Sequence, residues 1–364
     1  MDKPRVLILG GCGFIGRNLV AFLVKNDLVS AIRVVDKVPP QVAWLNEECH
    51  KYFQNPIVDF KSANLINPES CKSAFSCDST WDYVVNCAGE TKLGQTDPVY
   101  EEGILKLSLN CAKEAARQNV KHYIELSSGK MNSSDKVPHK EDANVEPWSF
   151  IGKWKYKVEK QLTDIPNLKY TILRLATVYG VGDRMGLTPR LIVASIYKYL
   201  GETMKLLWNS DLKINTVHVL DVCRAIWFIC TRDDTIGQVY NVVDEADSTQ
   251  GSICNILSDL FNIKVDFCGN IVSAVVDLES AADDANDKHL VPWAEVCRQD
   301  NIQNTPLTPH MDPELLLCKH LRLDGSKLKN LGFKLDVPQP TVDNVKEIFD
   351  DYVRMKVFPV LLAP

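Results

Sequence analysis

The chain has 364 residues, 45% hydrophobic and 24% charged, with 18 glycines and 18 prolines, which fits one large or two intimate globular domains and excludes fibres, stapled mini-scaffolds and disordered chains. The 41 Lys+Arg against 47 Asp+Glu leave a net charge of −6. That balance gives no basic field for nucleic acid or anionic lipid, and neither is expected as a partner.

The first residues run straight into an apolar strand, and the longest apolar stretch, around Ala225 to Cys230, falls far below the ~20 residues of a membrane span. The 12 cysteines stand singly, with no Cys-x-x-Cys pair. They read as buried small hydrophobes in a reducing, cytoplasmic setting, with no metal site.

Val6 to Leu9 reads as the first strand, followed by Gly10-Gly11-Cys12-Gly13-Phe14-Ile15-Gly16 and a helical run from Gly16 to Lys25. Glycines at that turn let backbone amides and a helix dipole face a pyrophosphate. A second strand, Ile32 to Val35, ends in Asp36, 20 residues after Gly16, where a carboxylate can accept from ribose hydroxyls. An acid there repels a 2′-phosphate, so NAD is expected over NADP, although Lys37 beside it weakens the argument.

Further strands at Tyr83 to Val85, Tyr123 to Leu126 and Thr171 to Leu175 alternate with helical spacing at Pro98 to Gln118 and Ser149 to Thr163. Nearly continuous apolar strands separated by helices predict an α/β fold, a doubly wound parallel Rossmann sheet. Later come a helix from Pro189 to Leu200, a strand from Thr216 to Val219, a helix from Asp221 to about Thr231 and a strand from Gln238 to Val243. Ser248 onward gives a helix, a strand near Ile263 to Phe267, and a stretch rich in Asp, Asn and Pro from about Gly269 to Pro313. The expected division is a dinucleotide-binding domain over 1–182 with 212–245 returning to it, a smaller α+β lobe from 183–211 and 246–335, and a C-terminal helix and tail over 336–364.

The Gly-x-x-Gly-x-x-Gly spacing resembles the extended short-chain dehydrogenase/reductase superfamily, with its NAD-dependent epimerases and dehydratases. Ala63-Asn64-Leu65, Asn86-Cys87-Ala88-Gly89, Ser127-Ser128, Arg174-Leu175-Ala176-Thr177-Val178-Tyr179-Gly180 and His218-Val219-Leu220-Asp221-Val222 are similar to its motifs in order. The resemblance implies a dinucleotide held by Gly10, Gly13, Phe14, Ile15, Gly16, Asp36, Asn64, Leu65, Cys87, Ala88, Gly89, Lys155, Thr177 and Val178. It also implies a catalytic Ser128 and a homodimer paired through the helices near Pro98 to Gln118 and Ser149 to Thr163.

The same family uses a Tyr four residues before a Lys as acid/base, both on one helix face. Two frames compete. Ile151-Gly152-Lys153-Trp154-Lys155 with Glu159 keeps the family's Gly, Lys and Glu but sets Ile151 in the Tyr position. Tyr156-Lys157-Val158-Glu159-Lys160 is a literal Tyr-x-x-x-Lys. From Lys155 to Arg174 there are 19 residues, room for helix, turn and strand, whereas Lys160 leaves 14; Ile151, Trp154, Val158 and Leu162 also form one apolar stripe. The Ile151 frame is therefore preferred, and in it Tyr156 is turned about 140° from Ile151 around the helix. A second departure is Gly103-Ile104-Leu105-Lys106-Leu107, where the family often carries a supporting Asn.

Glu90, Lys92 and Lys130 are expected to be solvated loop charges, His218 a structural histidine and Tyr179 a packing residue. Arg190, Trp208 and Asn209 are candidate contacts for a small-molecule substrate. The expected function is an NAD(H)-binding protein that has lost Tyr-dependent catalysis and acts as a cofactor-sensing or assembly subunit. The alternatives are an active epimerase, dehydratase or reductase using Tyr156/Lys160 or another acid, and a purely structural module.

Overall fold

The computed structural model describes residues 3–364. Its strands are β1 (Arg5–Leu9), β2 (Ala31–Asp36), β3 (Val58–Ser62), β4 (Tyr83–Asn86), β5 (His122–Ser128), β6 (Tyr170–Leu175), β7 (Thr177–Tyr179), β8 (Met204–Leu206), β9 (Thr216–His218), β10 (Gln238–Val242) and β11 (Val265–Phe267). The helices are α1 (Phe14–Lys25), α2 (Glu47–Phe53), α3 (Pro68–Phe75), α4 (Asp97–Tyr100), α5 (Leu107–Arg117), α6 (Phe150–Leu162), α7 (Thr188–Leu200), α8 (Val219–Cys230), α9 (Gln250–Phe261), α10 (Asn270–Ser273), α11 (Leu278–Gln299), α12 (Ser326–Asn330) and α13 (Val342–Arg354).

Seven strands form a parallel sheet in the order β3-β2-β1-β4-β5-β6-β10. This is the expected doubly wound α/β architecture. Strands this apolar must be covered on both faces. On one side Leu19, Leu23, Val222 and Ile226 of α1 and α8 pack on Ile8, Val34 and Ile124. On the other Phe75, Cys111, Trp154 and Val158 of α3, α5 and α6 pack on Leu7, Leu9 and Val84. The strand order reverses between β1 and β4, so the carboxyl ends there open a crevice suited to a ligand.

A separate core gathers α7, α9, α11 and α13 around Leu191, Leu257, Val296 and Phe349. The strand expected near residue 240 joins the main sheet as β10, while β9 pairs with β7 in a two-stranded ribbon. Two readings of the sequence need correction. The Asp- and Asn-rich stretch after Gly269 contains the 22-residue α11, whose internal Pro292 and mixed charge hide its periodicity. The helix expected over Pro98 to Gln118 is interrupted by a π-helical segment, Glu101–Lys106.

Candidate functional site

The turn after β1 is set by close approach. Gly10 has φ +73°, and a Cβ on it would lie 2.6 Å from the Ala88 nitrogen; one on Gly16 would lie 2.5 Å from the Gly10 carbonyl oxygen. The Gly10 amide donates to Val35 O at 2.7 Å and the Gly13 amide to Gly10 O at 3.0 Å. Gly13 caps α1 without a side chain, so the first-turn amides around Phe14 and Ile15 face outward uncapped, a cradle that fits a phosphate.

Asp36 ends β2 beside this turn, with carboxylate oxygens accepting from the amides of Cys12 and Val38, each at 3.1 Å. Burial raises its pKa, and those amides pull it back. The same burial pushes the Cys12 thiol up to about 12. Ala63 donates to the Asp36 carbonyl at 3.1 Å, which brings Asn64 and Leu65 to the same edge.

At the end of β4, Asn86 orders the turn that carries Cys87, Ala88 and Gly89. Its Oδ1 accepts from Ala88 N at 3.1 Å, and its Nδ2 donates to Glu125 Oε2 at 2.8 Å and Ser108 Oγ at 3.1 Å. Lys155 reaches this turn from α6: a Cβ on Gly89 would lie 3.7 Å from its Nζ. The ammonium donates to Glu125 Oε1 at 3.1 Å. Thus Lys155, the glycine turn and the β4 end meet at the mouth of the crevice.

Helix α6 begins at Phe150, with the Ser149 hydroxyl accepting from Gly152 N at 2.9 Å. Ile151 lies in the first turn, half-buried against the apolar layer that holds Trp154 and Val158. Lys160 is exposed near the outer end of α6, and Tyr156 is half-buried. The Tyr156/Lys160 pair is therefore not gathered at the crevice, whereas Ile151 and Lys155 are one turn apart along the edge that meets it. Glu159 faces inward, where it accepts from Ser127 Oγ at 2.5 Å and from Arg174 Nη2 at 2.7 Å.

Ser128 ends β5, and its Oγ accepts from the Lys130 amide at 3.1 Å, a local turn bond. Thr177 and Val178 lie half-buried on β7, where Thr177 N donates to Asn215 O at 3.0 Å. Tyr179 is fully buried with its ring edge-on to His218, 5.1 Å between centroids. His218 caps α8, and burial lowers its pKa. Glu90 and Lys92 are tied in a loop by a bond from Lys92 N to Glu90 Oε1 at 2.8 Å. The π-helical segment places Gly103 so that a Cβ would meet the Glu90 Cβ at 2.9 Å, and such segments recur at functional sites.

Lys130 departs from its expected place in solvent. Its ammonium lies over the Trp148 ring, 5.2 Å from the centroid, and burial lowers its pKa. The spacing also did not reveal Glu125 or Glu314. Glu125 sits in a β-branched and aromatic strand run that looks purely structural, and Glu314 arrives from a turn more than 150 residues beyond α6. All 12 cysteines are free, and no helix among the described residues is long and apolar enough to cross a membrane.

The model of the NAD dependent epimerase/dehydratase family matches residues 6–242. A sterol-4-alpha-carboxylate 3-dehydrogenase (decarboxylating) of Candida albicans is 25% identical over 255 residues, 66% of this chain and 70% of that protein. A bifunctional UDP-glucose and UDP-xylose 4-epimerase of Pisum sativum is 24% identical over 212 residues, 55% of this chain and 60% of its own length. Among solved structures, a UDP-N-acetylglucosamine 4-epimerase from Methanobrevibacter ruminantium superposes with TM-score 0.68 at 18% identity, covering 97% of this chain and 99% of that one. A Thermus thermophilus UDP-glucose 4-epimerase in complex with NAD gives 0.65 at 18%, covering 96% and 99%. At these identities the structural likeness carries the fold.

Proposed function

The chain belongs to the NAD-dependent epimerase/dehydratase family, and from that premise we propose that it binds NAD(H) along the glycine turn while lacking the family's Tyr-centred proton transfer. In this reading Gly10, Gly13, Phe14, Ile15 and Gly16 cradle the pyrophosphate, Asp36 takes the adenosine ribose, and Asn64 and Leu65 border the adenine. Cys87, Ala88, Gly89, Lys155, Thr177 and Val178 line the nicotinamide half, and Ser128 faces the substrate. NAD, when bound, supplies a hydride acceptor or donor.

The observation that carries the reading is the aliphatic side chain of Ile151 one turn before Lys155, with no phenol on that face. A cofactor-sensing or assembly role follows, and pairing of two copies through α4, α5 and α6 belongs to it as an inference from resemblance. Val99 is exposed on that surface; a monomer in light scattering removes the pairing.

The relatives favour a second reading, an active epimerase, dehydratase or reductase on a sugar nucleotide or small carbonyl, since those reported above are named as enzymes. Its acid would be Tyr156 with Lys160 or another group, and the exposure of Lys160 near the end of α6 supports another group.

One experiment separates the two: NAD affinity by calorimetry, then NADH formation and epimer formation with UDP-glucose, in the unchanged protein and in Ile151→Tyr. NAD binding with turnover only in Ile151→Tyr supports the first reading. Turnover in the unchanged protein supports the second. Absence of NAD and NADP binding points to a purely structural module.

A further inference from the structure

The fourth residue of α1, Arg17, is a cation in a place that disfavours one. Helix α1 has no acidic residue in its first turn, so the positive end of its dipole meets a like charge there. Arg17 is only 5% exposed. Its guanidinium bonds all go to main-chain carbonyls: Nε donates to Cys12 O and Gly13 O, each at 3.2 Å, Nη2 to Cys12 O at 2.6 Å and Ala43 O at 2.7 Å, and Nη1 to Trp44 O at 2.6 Å. Among the described residues no carboxylate pairs with it, and burial, followed by the neighbouring Arg184, disfavours its charge.

A buried charge calls for a counterion as well as hydrogen bonds. The carbonyls supply dipoles here and no anion. The acids of this neighbourhood are spent elsewhere. Asp36 accepts from the Cys12 and Val38 amides, each at 3.1 Å, and Asp183 from the amides of 185–188 at 2.6–3.1 Å. Asp351 accepts from Asn46 Nδ2 at 3.0 Å and pairs with Arg354 at 3.2 Å. A second guanidinium stands close instead, since Arg184 Nη2 donates at 3.1 Å to the same Ala43 carbonyl that Arg17 holds.

Two of the carbonyls that Arg17 holds, those of Cys12 and Gly13, belong to the glycine turn. The Gly13 carbonyl is one end of the Gly13–Phe14 peptide unit, whose amide opens outward at the uncapped start of α1. A cation on the carbonyl polarises that unit and strengthens its N–H as a donor. The Arg17 charge is therefore felt, one peptide unit away, by whatever anion the turn cradles. We propose that Arg17 is a positioning residue for the dinucleotide, its charge passing through the peptide units of the turn to the diphosphate, which is its missing counterion. The inference rests on the dinucleotide reading above and adds to it a residue buried behind the turn.

The test uses the full chain and three probes: NAD, ADP-ribose, which carries the diphosphate without nicotinamide, and adenosine, which carries no phosphate. Calorimetry and ligand-observed NMR give the ratio of ADP-ribose to adenosine affinity in the unchanged chain, Arg17→Lys and Arg17→Gln. A purely structural disturbance of the ribose and adenine edge acts on both probes and leaves that ratio alone. Arg17→Gln is expected to lower it about 10-fold, the size of one partly screened charge contact, with NAD following ADP-ribose. Arg17→Lys keeps the charge and should hold the ratio within about 3-fold of the unchanged chain.

An unchanged ratio in Arg17→Gln overturns the proposal. So does a ratio that falls equally in Arg17→Lys and Arg17→Gln, which would assign the effect to the guanidinium fork and not to its charge. Arg17→Met stands in if Arg17→Gln does not fold; if neither folds, a ratio about 10-fold lower in Arg17→Lys overturns the proposal by itself. Failure of the unchanged protein to bind NAD and ADP-ribose would instead count against the dinucleotide reading, so the two failures read out separately.

Discussion

Lys155 Nζ donates to Glu125 Oε1 at 3.1 Å, and the carboxylate it meets has no exposed side-chain surface. Oε1 also accepts from the Ser108 hydroxyl at 3.0 Å, and Oε2 accepts from Asn86 at 2.8 Å and from the Tyr123 hydroxyl at 2.8 Å. With four donors the carboxylate's acceptor capacity is filled. Ile151, one turn earlier, offers Lys155 no hydroxyl, so its charge is balanced from β5.

That pairing makes Glu125 a sensitive polar position. Glu125→Ala takes the acceptor from a buried ammonium, a tyrosine hydroxyl, a serine hydroxyl and an amide N–H; breaking a buried pair in this way costs about 3–5 kcal/mol. Glu125→Gln keeps an acceptor and should cost less. Urea unfolding of the two variants checks the order, and equal losses would mean that packing rather than charge sets the cost. Because Lys155 would also be released, NAD affinity is expected to fall in both.

Two glycines with similar backbone angles should respond differently to alanine. Gly10 (φ +73°) has the Ala88 backbone 2.6 Å from where a Cβ would sit, while Gly201 (φ +66°) has nothing within 4 Å. Gly201→Ala pays only the left-handed strain, about 1–2 kcal/mol. Gly10→Ala must also push the β4 turn away from β1, and should lose NAD binding as well as stability. Calorimetry on both variants measures the contrast; undiminished NAD affinity in Gly10→Ala would separate the turn from cofactor binding.

Much of this was legible because it is local. The glycine turn, Asp36 at a strand end and the stripe of Trp154, Val158 and Leu162 each follow from spacing along one or two elements, and the parallel character of the sheet follows from alternating strands and helices, whereas the strand order and β3 came only with the structure. Glu125 was not legible, since its partners Asn86, Ser108 and Lys155 come from three other elements and strand alternation gives no sign of a charge kept inside. Lys130 was read as a loop charge because it follows a turn; only the tertiary position of Trp148 shows why it leaves water. Helix α11 was missed where Pro292 and scattered acids mask the 3.6-residue period.

Asp36 should govern cofactor choice. Its carboxylate sits at the end of β2 with both oxygens already bonded to amides, so a 2′-phosphate brought beside it meets negative charge with little freedom to withdraw. Asp36→Asn removes the repulsion and keeps the acceptor. The ratio of NAD to NADP affinity is expected to fall about 10-fold, roughly the 1–1.5 kcal/mol of one partly screened charge contact. An unchanged ratio would show that selectivity lies elsewhere.

His289 gives a pH prediction with a definite sign. Its ring is buried edge-on to Tyr197, 5.5 Å between centroids, and neither ring nitrogen has a partner among the described residues. Burial, followed by the neighbouring Lys288 ammonium, lowers its pKa to about 4, against about 6.5 in an unfolded chain. Between those values the unfolded state binds the proton and the folded state does not, so this histidine's contribution is intact above about pH 6.5 and is lost as the pH falls toward 4. The loss amounts to roughly 3 kcal/mol. Asp244, raised by burial to about 6, works in the opposite direction over part of the same range, so the whole-protein profile mixes the two. His289→Phe isolates the imidazole: the ring packing is retained and the titration removed. The stability difference between variant and unchanged protein should move in the variant's favour by roughly 2 kcal/mol from about pH 7 to about pH 4.5, measured by urea unfolding across that range. A difference that stays flat would mean His289 takes up its proton in the folded state, through an opening of the α7–α11 contact that exposes the ring.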